Sequence, residues 1–248
     1  MWEEVQIGEP GFGEARVRRT AVGVNFVDIR SGFYAATLPS GIGTEAAGIV
    51  EQIGFGVGDV AVGDRVAYVG GPLDAYAEAR VMPADRLVVL AHGYRICRRR
   101  AMMLKGLTTQ YLIRQIFKVR SGNAVLLHAA ASAVGLIACQ WAKALRATVI
   151  GTVGSDQKAQ VEARPAAIIR SSTRARTLSV RSWRSPRGKR CRWSTILSAR
   201  ARSWIRSIAS RLKGLMVSFG QSSGARSALL DLGIFAQKGL LFFTRPTL

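Results

Sequence analysis

The chain has 248 residues, of which 48% are hydrophobic and 26 are glycine, enough to bury the core of one large domain or two ordinary ones. No apolar run reaches the roughly 18 residues that a membrane helix needs, and the opening sequence MWEEVQIGEP lacks a signal-peptide pattern. We therefore expect a cytoplasmic protein without a membrane partner. The three scattered cysteines favour reduced thiols over a disulfide framework or a zinc cluster.

The formal net charge of +21 would ordinarily suggest a nucleic-acid partner. The charge is unevenly distributed, because no Asp or Glu lies between Ala163 and Leu230 while arginines crowd residues 164–211. Elsewhere acids and bases mix as on an ordinary enzyme surface. No helix-turn-helix, zinc-finger or stacking-aromatic pattern accompanies the arginines, so we expect no specific nucleic-acid partner.

The first ninety or so residues read as short apolar or alternating runs separated by glycines. These runs are EARVRRTAVGVN, GIGTEAAGIVEQIG, DRVAYVG, AYAEARVM and RLVVL. Such runs at intervals of about ten residues are typical of a compact, mostly antiparallel β domain. We assign this domain to residues 1–100.

From residue 101 the pattern changes to that of an α/β domain, assigned to residues 101–248. AMMLKGLTTQYLIRQIF has helical spacing, and NAVLLHAAASAVGLIACQWAKALRATVIGTVG predicts a strand, a tight turn, an amphipathic helix and a second strand. GLMVSFG (214–220) and GLLFFT (239–244) would suit strands of a buried parallel sheet. The sequence therefore predicts a β domain followed by a doubly wound α/β domain.

The turn at residues 129–135, AAASAVG, joins a predicted strand to the start of a helix. Backbone N–H groups and the helix dipole can hold a pyrophosphate there, although only Gly135 of the dinucleotide-binding glycines is present. A tight turn without a ligand is the alternative. The following strand ends in a neutral GTVGS before Lys158, which favours the 2′-phosphate of NADP over NAD, unless Lys158 is simply a solvated lysine.

Several runs together resemble the bacterial NADPH:quinone oxidoreductases related to zeta-crystallin, which are zinc-free members of the medium-chain dehydrogenase/reductase superfamily. They include LPSGIGTEAAGIVEQIG, AVGDRVAY, MLKGLTTQYLIR, LLHAAASAVGLIACQWAKAL, IGTVGSDQKAQ, GLMVSFGQSSGA and QKGLLFFTRPTL, in the family's order. The resemblance implies a GroES-like β domain followed by a Rossmann domain, with NADPH as cofactor. It also implies that zinc is absent, since Thr44 stands where zinc-dependent relatives have a histidine.

The resemblance also implies roles for individual residues. The catalytic set that borders the nicotinamide and the substrate would be Asn25, Tyr34 and Thr108. The cofactor-binding set would be Ser132, Ala133, Val134, Gly135, Gly154, Ser155, Lys158, Phe219, Gly220 and Ser222. In such enzymes the cofactor delivers a hydride and the protein positions the two reactants.

We therefore expect an enzyme that reduces quinones, as a possible homodimer through the strand at 239–244. A related zinc-free enoyl or alkenal reductase is one alternative. A degenerate family member with weak activity or none is the other.

Departures from the family pattern support that last alternative. Ser132 and Ala133 replace a glycine pair, the stretch between Asn25 and Tyr34 is short, and both ends of the chain look truncated relative to the family. Residues 162–211 resemble a segment translated out of frame. The codons TGG TCT ACG ATT CTG TCG would encode residues 193–198, and from their third nucleotide they read Val-Tyr-Asp-Ser-Val, a strand of the family. We expect residues 162–211 to be irregular.

Overall fold

A computed structural model describes residues 4–29, 40–71, 73–91, 102–153, 169–172, 191–196, 210–219 and 241–244. The chain divides into two compact units, Met1–Leu107 and Thr108–Leu248, a little beyond the boundary predicted after residue 100. None of the helices described is long and apolar enough to cross a membrane.

The first unit is built on a five-stranded antiparallel sheet with the order β4-β1-β2-β3-β5. Its elements are β1 (Glu14–Val22), α1 (Phe26–Ile29), β2 (Glu45–Ile53), β3 (Arg65–Val69), β4 (Ala79–Pro83), a 3₁₀ turn (Ala84–Arg86) and β5 (Val88–Val89). The predicted antiparallel β domain is confirmed.

The alternating sequence of β1 explains how this sheet is buried on one face. Ala15 and Val17 are fully buried, while Arg18 is exposed and pairs with Glu51 of β2. Val17 packs in a core with Val50 and Met82. Full burial of each such side chain stabilises the fold by about 1.5–3 kcal/mol.

Helix α2 (Met103–Gln110) continues into a π-helical turn (Tyr111–Ile116) and leads into the second unit. Its remaining elements are β6 (Ala124–Leu127), α3 (Ala133–Ala144), β7 (Thr148–Val153), β8 (Ile169–Ser172), β9 (Cys191–Ile196), β10 (Ser210–Ser218) and β11 (Leu241–Thr244). The predicted strand–helix–strand unit is β6, α3 and β7. The strands predicted at 214–220 and 239–244 correspond to β10 and β11.

The strands β6 to β11 form one parallel sheet with the order β11-β10-β9-β6-β7-β8. Connections run outward in one direction from β6 and in the other direction from β9, so the strand order reverses between these two strands. Ligands of doubly wound sheets bind beyond the carboxyl ends of the strands at such a switch point. The predicted α/β class is confirmed.

The expectation of irregular structure throughout residues 162–211 is wrong where the structure describes that region. Strands β8 and β9 lie within it, β10 begins within it, and β9 pairs with both β6 and β10. The physical reason is that a strand pairs through its backbone, and the facing edges of β6 and β10 offer N–H and C=O groups that need partners. The rest of that region lies outside the described residues.

Candidate functional site

A cluster of hydrogen-bonded polar side chains lies at the start of helix α1 in the first unit. The backbone N–H of Asn25 donates to Asp28 Oδ2 at 2.8 Å, and the backbone N–H of Asp28 donates to the Asn25 carbonyl at 3.1 Å. The first bond is the half of a capping box that a carboxylate three residues on supplies, and the second is a backbone bond of the first turn. The pair fixes the backbone of Asn25, one of the two predicted catalytic residues that belong to this unit.

The side chain of Asn25 is tied to a carboxylate that sequence reasoning did not single out. Asn25 is buried, and its Nδ2 donates to Glu45 Oε2 at 2.6 Å and, more weakly, to the Gly23 carbonyl at 3.4 Å. Glu45 has no exposed surface, and its Oε1 accepts from the backbone N–H of Leu104 at 3.1 Å. The one sequence signal for Glu45 was its place as an acid at the start of the apolar run EAAGIV. Acidic residues are seldom buried in such a run unless they have a partner.

Tyr76 completes the cluster from the loop before β4. Its hydroxyl donates to Asp28 Oδ2 at 2.8 Å. Burial, the hydrogen bond to Asp28 and the negative charges of Asp28 and Glu45 raise the pKa of Tyr76 to about 12, so the phenol keeps its proton. Gly43 has a φ of 87°, and a Cβ there would lie 2.6 Å from Tyr76 Cε1, so glycine lets the ring lie against this turn.

In the second unit, helix α3 begins at the turn predicted to bind a pyrophosphate. Ser132 caps the helix, since its Oγ accepts from the Gly135 N–H at 3.1 Å. A Cβ on Gly135 would lie 2.5 Å from the Ala129 carbonyl oxygen and closer still to that of Ala130. Gly135 therefore allows the close approach of the helix to the end of β6.

The first turn of α3 leaves backbone donors for a ligand. The N–H groups of Ala133 and Val134 form no hydrogen bond with any residue that the structure describes. With the positive end of the helix dipole they suit a pyrophosphate, and the exposed side chain of Ala133 adds only a methyl group. By this test the residues present fit a dinucleotide.

Two further groups lie beside this turn. His128 follows β6, is buried, and contacts Thr152 through Nδ1···Oγ1 at 3.1 Å; burial lowers its pKa to about 4, so it is neutral near pH 7. Thr109 Oγ1 donates to the Val134 carbonyl at 3.5 Å. Since Thr108 precedes Thr109, helix α2 brings the predicted catalytic threonine to the neighbourhood of the α3 turn.

The structure describes some of the predicted site residues and not others. Asn25 belongs to the first unit, and Phe219 is half-buried against the core of the second unit. The α3 turn holds Ser132, Ala133, Val134 and Gly135. Six predicted residues lie outside the described part of the chain: Tyr34, Gly154, Ser155, Lys158, Gly220 and Ser222. The described residues contain no group of three His, Cys, Asp or Glu side chains able to hold a metal.

Comparison with known proteins adds three findings. The family model for the alcohol dehydrogenase GroES-like domain matches residues 11–92. A quinone oxidoreductase of Pseudomonas aeruginosa is 45% identical over all of this chain and 77% of its own length, and a 2-haloacrylate reductase of a Burkholderia species is 37% identical over the same shares. The crystal structure of Escherichia coli quinone oxidoreductase complexed with NADPH has a TM-score of 0.91 and 42% identity, covering 98% of this chain and 76% of the other.

Proposed function

Because the chain belongs to the quinone oxidoreductase family of the medium-chain dehydrogenase/reductase superfamily, we propose that it is an NADPH-dependent enzyme that reduces quinones. The observation that supports this best is the start of α3, where two backbone N–H groups without a partner among the described residues lie at the switch point of a parallel sheet. When bound, NADPH supplies a hydride.

The cofactor would be held chiefly by the second unit. Ala133 and Val134 would donate backbone N–H groups to the pyrophosphate, at the positive end of the helix dipole. The neutral His128 beside this turn adds no charge. We propose Ser155 and Lys158 for the 2′-phosphate. Gly154, Phe219, Gly220 and Ser222 would line the ribose and adenosine.

We propose that Asn25, Tyr34 and Thr108 border the reacting end, where the nicotinamide meets the quinone. The first unit, residues 1–100 in the predicted division, would thus supply substrate-side groups, and residues 101–248 the cofactor domain. No step in this scheme needs a metal. We expect activity to be unchanged by a chelator.

Two coarser expectations complete the proposal. We propose a cytoplasmic enzyme, and a homodimer formed through the strand at 239–244. β11, which covers Leu241–Thr244, is an edge strand of the described sheet, and an edge strand can pair with a second copy.

The alternative reaction is reduction of a carbon–carbon double bond conjugated to a carbonyl group. It is favoured by the 37% identity with the 2-haloacrylate reductase over the whole chain. Hydride acceptors of both kinds need a positioned nicotinamide, so the choice depends on the substrate side. Steady-state assays with a benzoquinone, a haloacrylate and an alkenal, each with NADPH, separate these reactions through their kcat/KM values.

The decisive experiment is a fluorescence titration of the purified chain with NADPH and with NADH, followed by the assays above. We expect saturable binding with NADPH preferred, and Lys158→Ala should lower that preference by about tenfold through loss of a charged contact to phosphate. Absence of binding by the unaltered chain would refute the proposal and identify a family member without this activity.

We also propose that residues 162–211 are read out of frame. The gene's nucleotides then encode Val-Tyr-Asp-Ser-Val-Gly in another frame at this position, and sequencing the gene tests this directly. A gene whose other frames lack that string would contradict the proposal without touching the cofactor site at α3.

A further inference from the structure

The pairing of Glu45 with Asn25 determines which atom of the Asn25 carboxamide is left for a ligand. Both Glu45 oxygens are acceptors, one for the Leu104 N–H at 3.1 Å and the other for Asn25 at 2.6 Å. No Lys or Arg of the described residues forms an ion pair with Glu45. A buried carboxylate of this kind depends on its hydrogen-bond donors.

The carboxamide of Asn25 therefore has one chemically acceptable orientation. Turning its oxygen toward Glu45 would oppose two acceptors at 2.6 Å, so the NH₂ group must face the carboxylate. The bond from the Asn25 backbone N–H to Asp28 Oδ2 fixes the backbone beneath it. The second Nδ2 proton points to the Gly23 carbonyl.

Asn25 Oδ1 is the atom that remains. It forms no hydrogen bond with any described residue. The fully buried side-chain atoms without a hydrogen-bond partner, within the part of the chain described, are Arg16 Nε and Arg19 Nη2. Asn25 Oδ1 has no hydrogen bond with a described residue, yet it is not among these fully buried atoms. It therefore keeps contact with solvent and can accept a hydrogen bond from a ligand.

We propose that Glu45 is a positioning residue that makes Asn25 a hydrogen-bond acceptor for the nicotinamide half of NADPH. This inference rests on the proposed function. A quinone offers only carbonyl oxygens, which are acceptors, so Asn25 Oδ1 cannot bind the oxidised substrate. The cofactor carries donors of two kinds, the carboxamide N–H of the nicotinamide and the hydroxyls of its ribose. Asn25 thus recognises the cofactor and not the quinone.

Glu45→Gln tests this with little change in side-chain volume. It should turn the carboxamide of Asn25 so that a donor faces the ligand in place of an acceptor. The single oxygen of the new amide must accept from Leu104, because that half-buried N–H has no other partner among the described residues, and its NH₂ group then faces Asn25. Asn25 rotates to accept with Oδ1 and presents its NH₂ group to the ligand. We expect NADPH binding to weaken by about tenfold, with the melting temperature nearly unchanged, because one donor–acceptor contact becomes a donor–donor contact.

The matched control exchanges the two groups. In Glu45→Gln with Asn25→Asp, the amide donates to the new carboxylate, whose outer oxygen is again an acceptor, and the total charge equals that of the parent. We expect its Kd for NADPH to return to within about threefold of the parent value. Asn25→Ala, which leaves the contact between Glu45 and Leu104 intact, should weaken NADPH binding like the single variant.

The 3-acetylpyridine analogue of NADP, which lacks the carboxamide N–H, identifies the donor. If the parent chain binds the analogue more weakly than NADP and Glu45→Gln binds the two equally, the contact is with the carboxamide. If the parent chain binds the two equally, the contact is with a ribose hydroxyl. Both outcomes support the proposal. Equal NADPH affinity of the parent and Glu45→Gln would overturn the inference alone, as would a change confined to the KM for quinone. A parent chain that does not bind NADPH would overturn the proposed function as well. If Glu45→Gln does not fold, Asn25→Ala decides.

Discussion

The two proposed ligand-facing regions of this molecule are made of different parts of the chain. Around Asn25 the polar atoms belong to buried side chains that hold one another, with Glu45 reaching both Asn25 and the backbone of Leu104. At the start of α3 the polar atoms are backbone N–H groups, and the side chains there are small. The first region should therefore be sensitive to a change of one donor or acceptor, and the second to added volume.

Adding a methyl group at Gly135 is the strongest test of that difference. In Gly135→Ala the new Cβ would overlap the carbonyl oxygens of Ala129 and Ala130, which cannot move without displacing the end of β6. We expect a loss of stability on the order of 3 kcal/mol and a fall in melting temperature of roughly 10 °C, measured by thermal unfolding. NADPH binding should fall with it.

The control for this substitution is Gly106→Ala in helix α2. A Cβ at Gly106 meets no atom within 4 Å, and alanine favours a helix by about 0.5–1 kcal/mol over glycine. We expect this variant to be as stable as the parent or slightly more so. Equal melting temperatures for the two alanine variants would show that close packing does not govern the α3 turn.

The pH dependence of stability probes a side chain buried beside the backbone-built region. His128 has a pKa of about 4 in the folded chain, because burial disfavours its charge, against about 6.5 when unfolded. Between these values the unfolded state binds more protons, so the free energy of unfolding falls as the pH falls from about 6.5 to 4, by on the order of 3 kcal/mol. The loss begins below the unfolded pKa and is complete below the folded one.

Denaturant unfolding at a series of pH values measures this slope. His128→Gln cannot take up the proton, so its stability should vary less over the same interval, whatever its stability near pH 7. If the free energy of unfolding of the parent and of His128→Gln varied equally with pH, His128 would be solvated. A charge could then be accommodated near the α3 turn.

The backbone-built region was the easier one to predict from sequence. Helical spacing after a run of small residues located α3, and Gly135 marked a position where the helix approaches the turn at Ala129 and Ala130 that follows β6. Both signals are local. The role of Glu45 depends on Asn25, 20 residues away, and on Leu104, 59 residues away, so no local pattern indicates it.

The expectation of irregular structure in residues 162–211 was wrong at the strands that the structure describes there, for a related reason. It was drawn from composition, whereas β9 is a strand because β6 and β10 flank it. Backbone pairing between neighbours can override the preference of a segment's own residues.

The smallest expected effect concerns Ser132, the one place in the α3 turn where a side chain competes with the backbone. Its hydroxyl accepts from the Gly135 N–H at 3.1 Å, so a pyrophosphate at this helix start meets one donor already in use. Ser132→Gly removes the hydroxyl and a Cβ at a cost of only a few tenths of a kcal/mol, while Ser132→Ala should cost about 1 kcal/mol.

We expect Ser132→Gly to bind NADPH a few-fold more tightly than the parent, because the Gly135 N–H is then available to the phosphate. The variant should melt at a slightly lower temperature, because it lacks the helix cap. Titration and thermal unfolding of the parent and both variants give the two quantities independently. Opposite shifts in affinity and stability would place the cap in competition with the ligand. Weaker binding by both variants would instead mean that the Ser132 hydroxyl itself contacts the phosphate, and that this region too depends on a side chain.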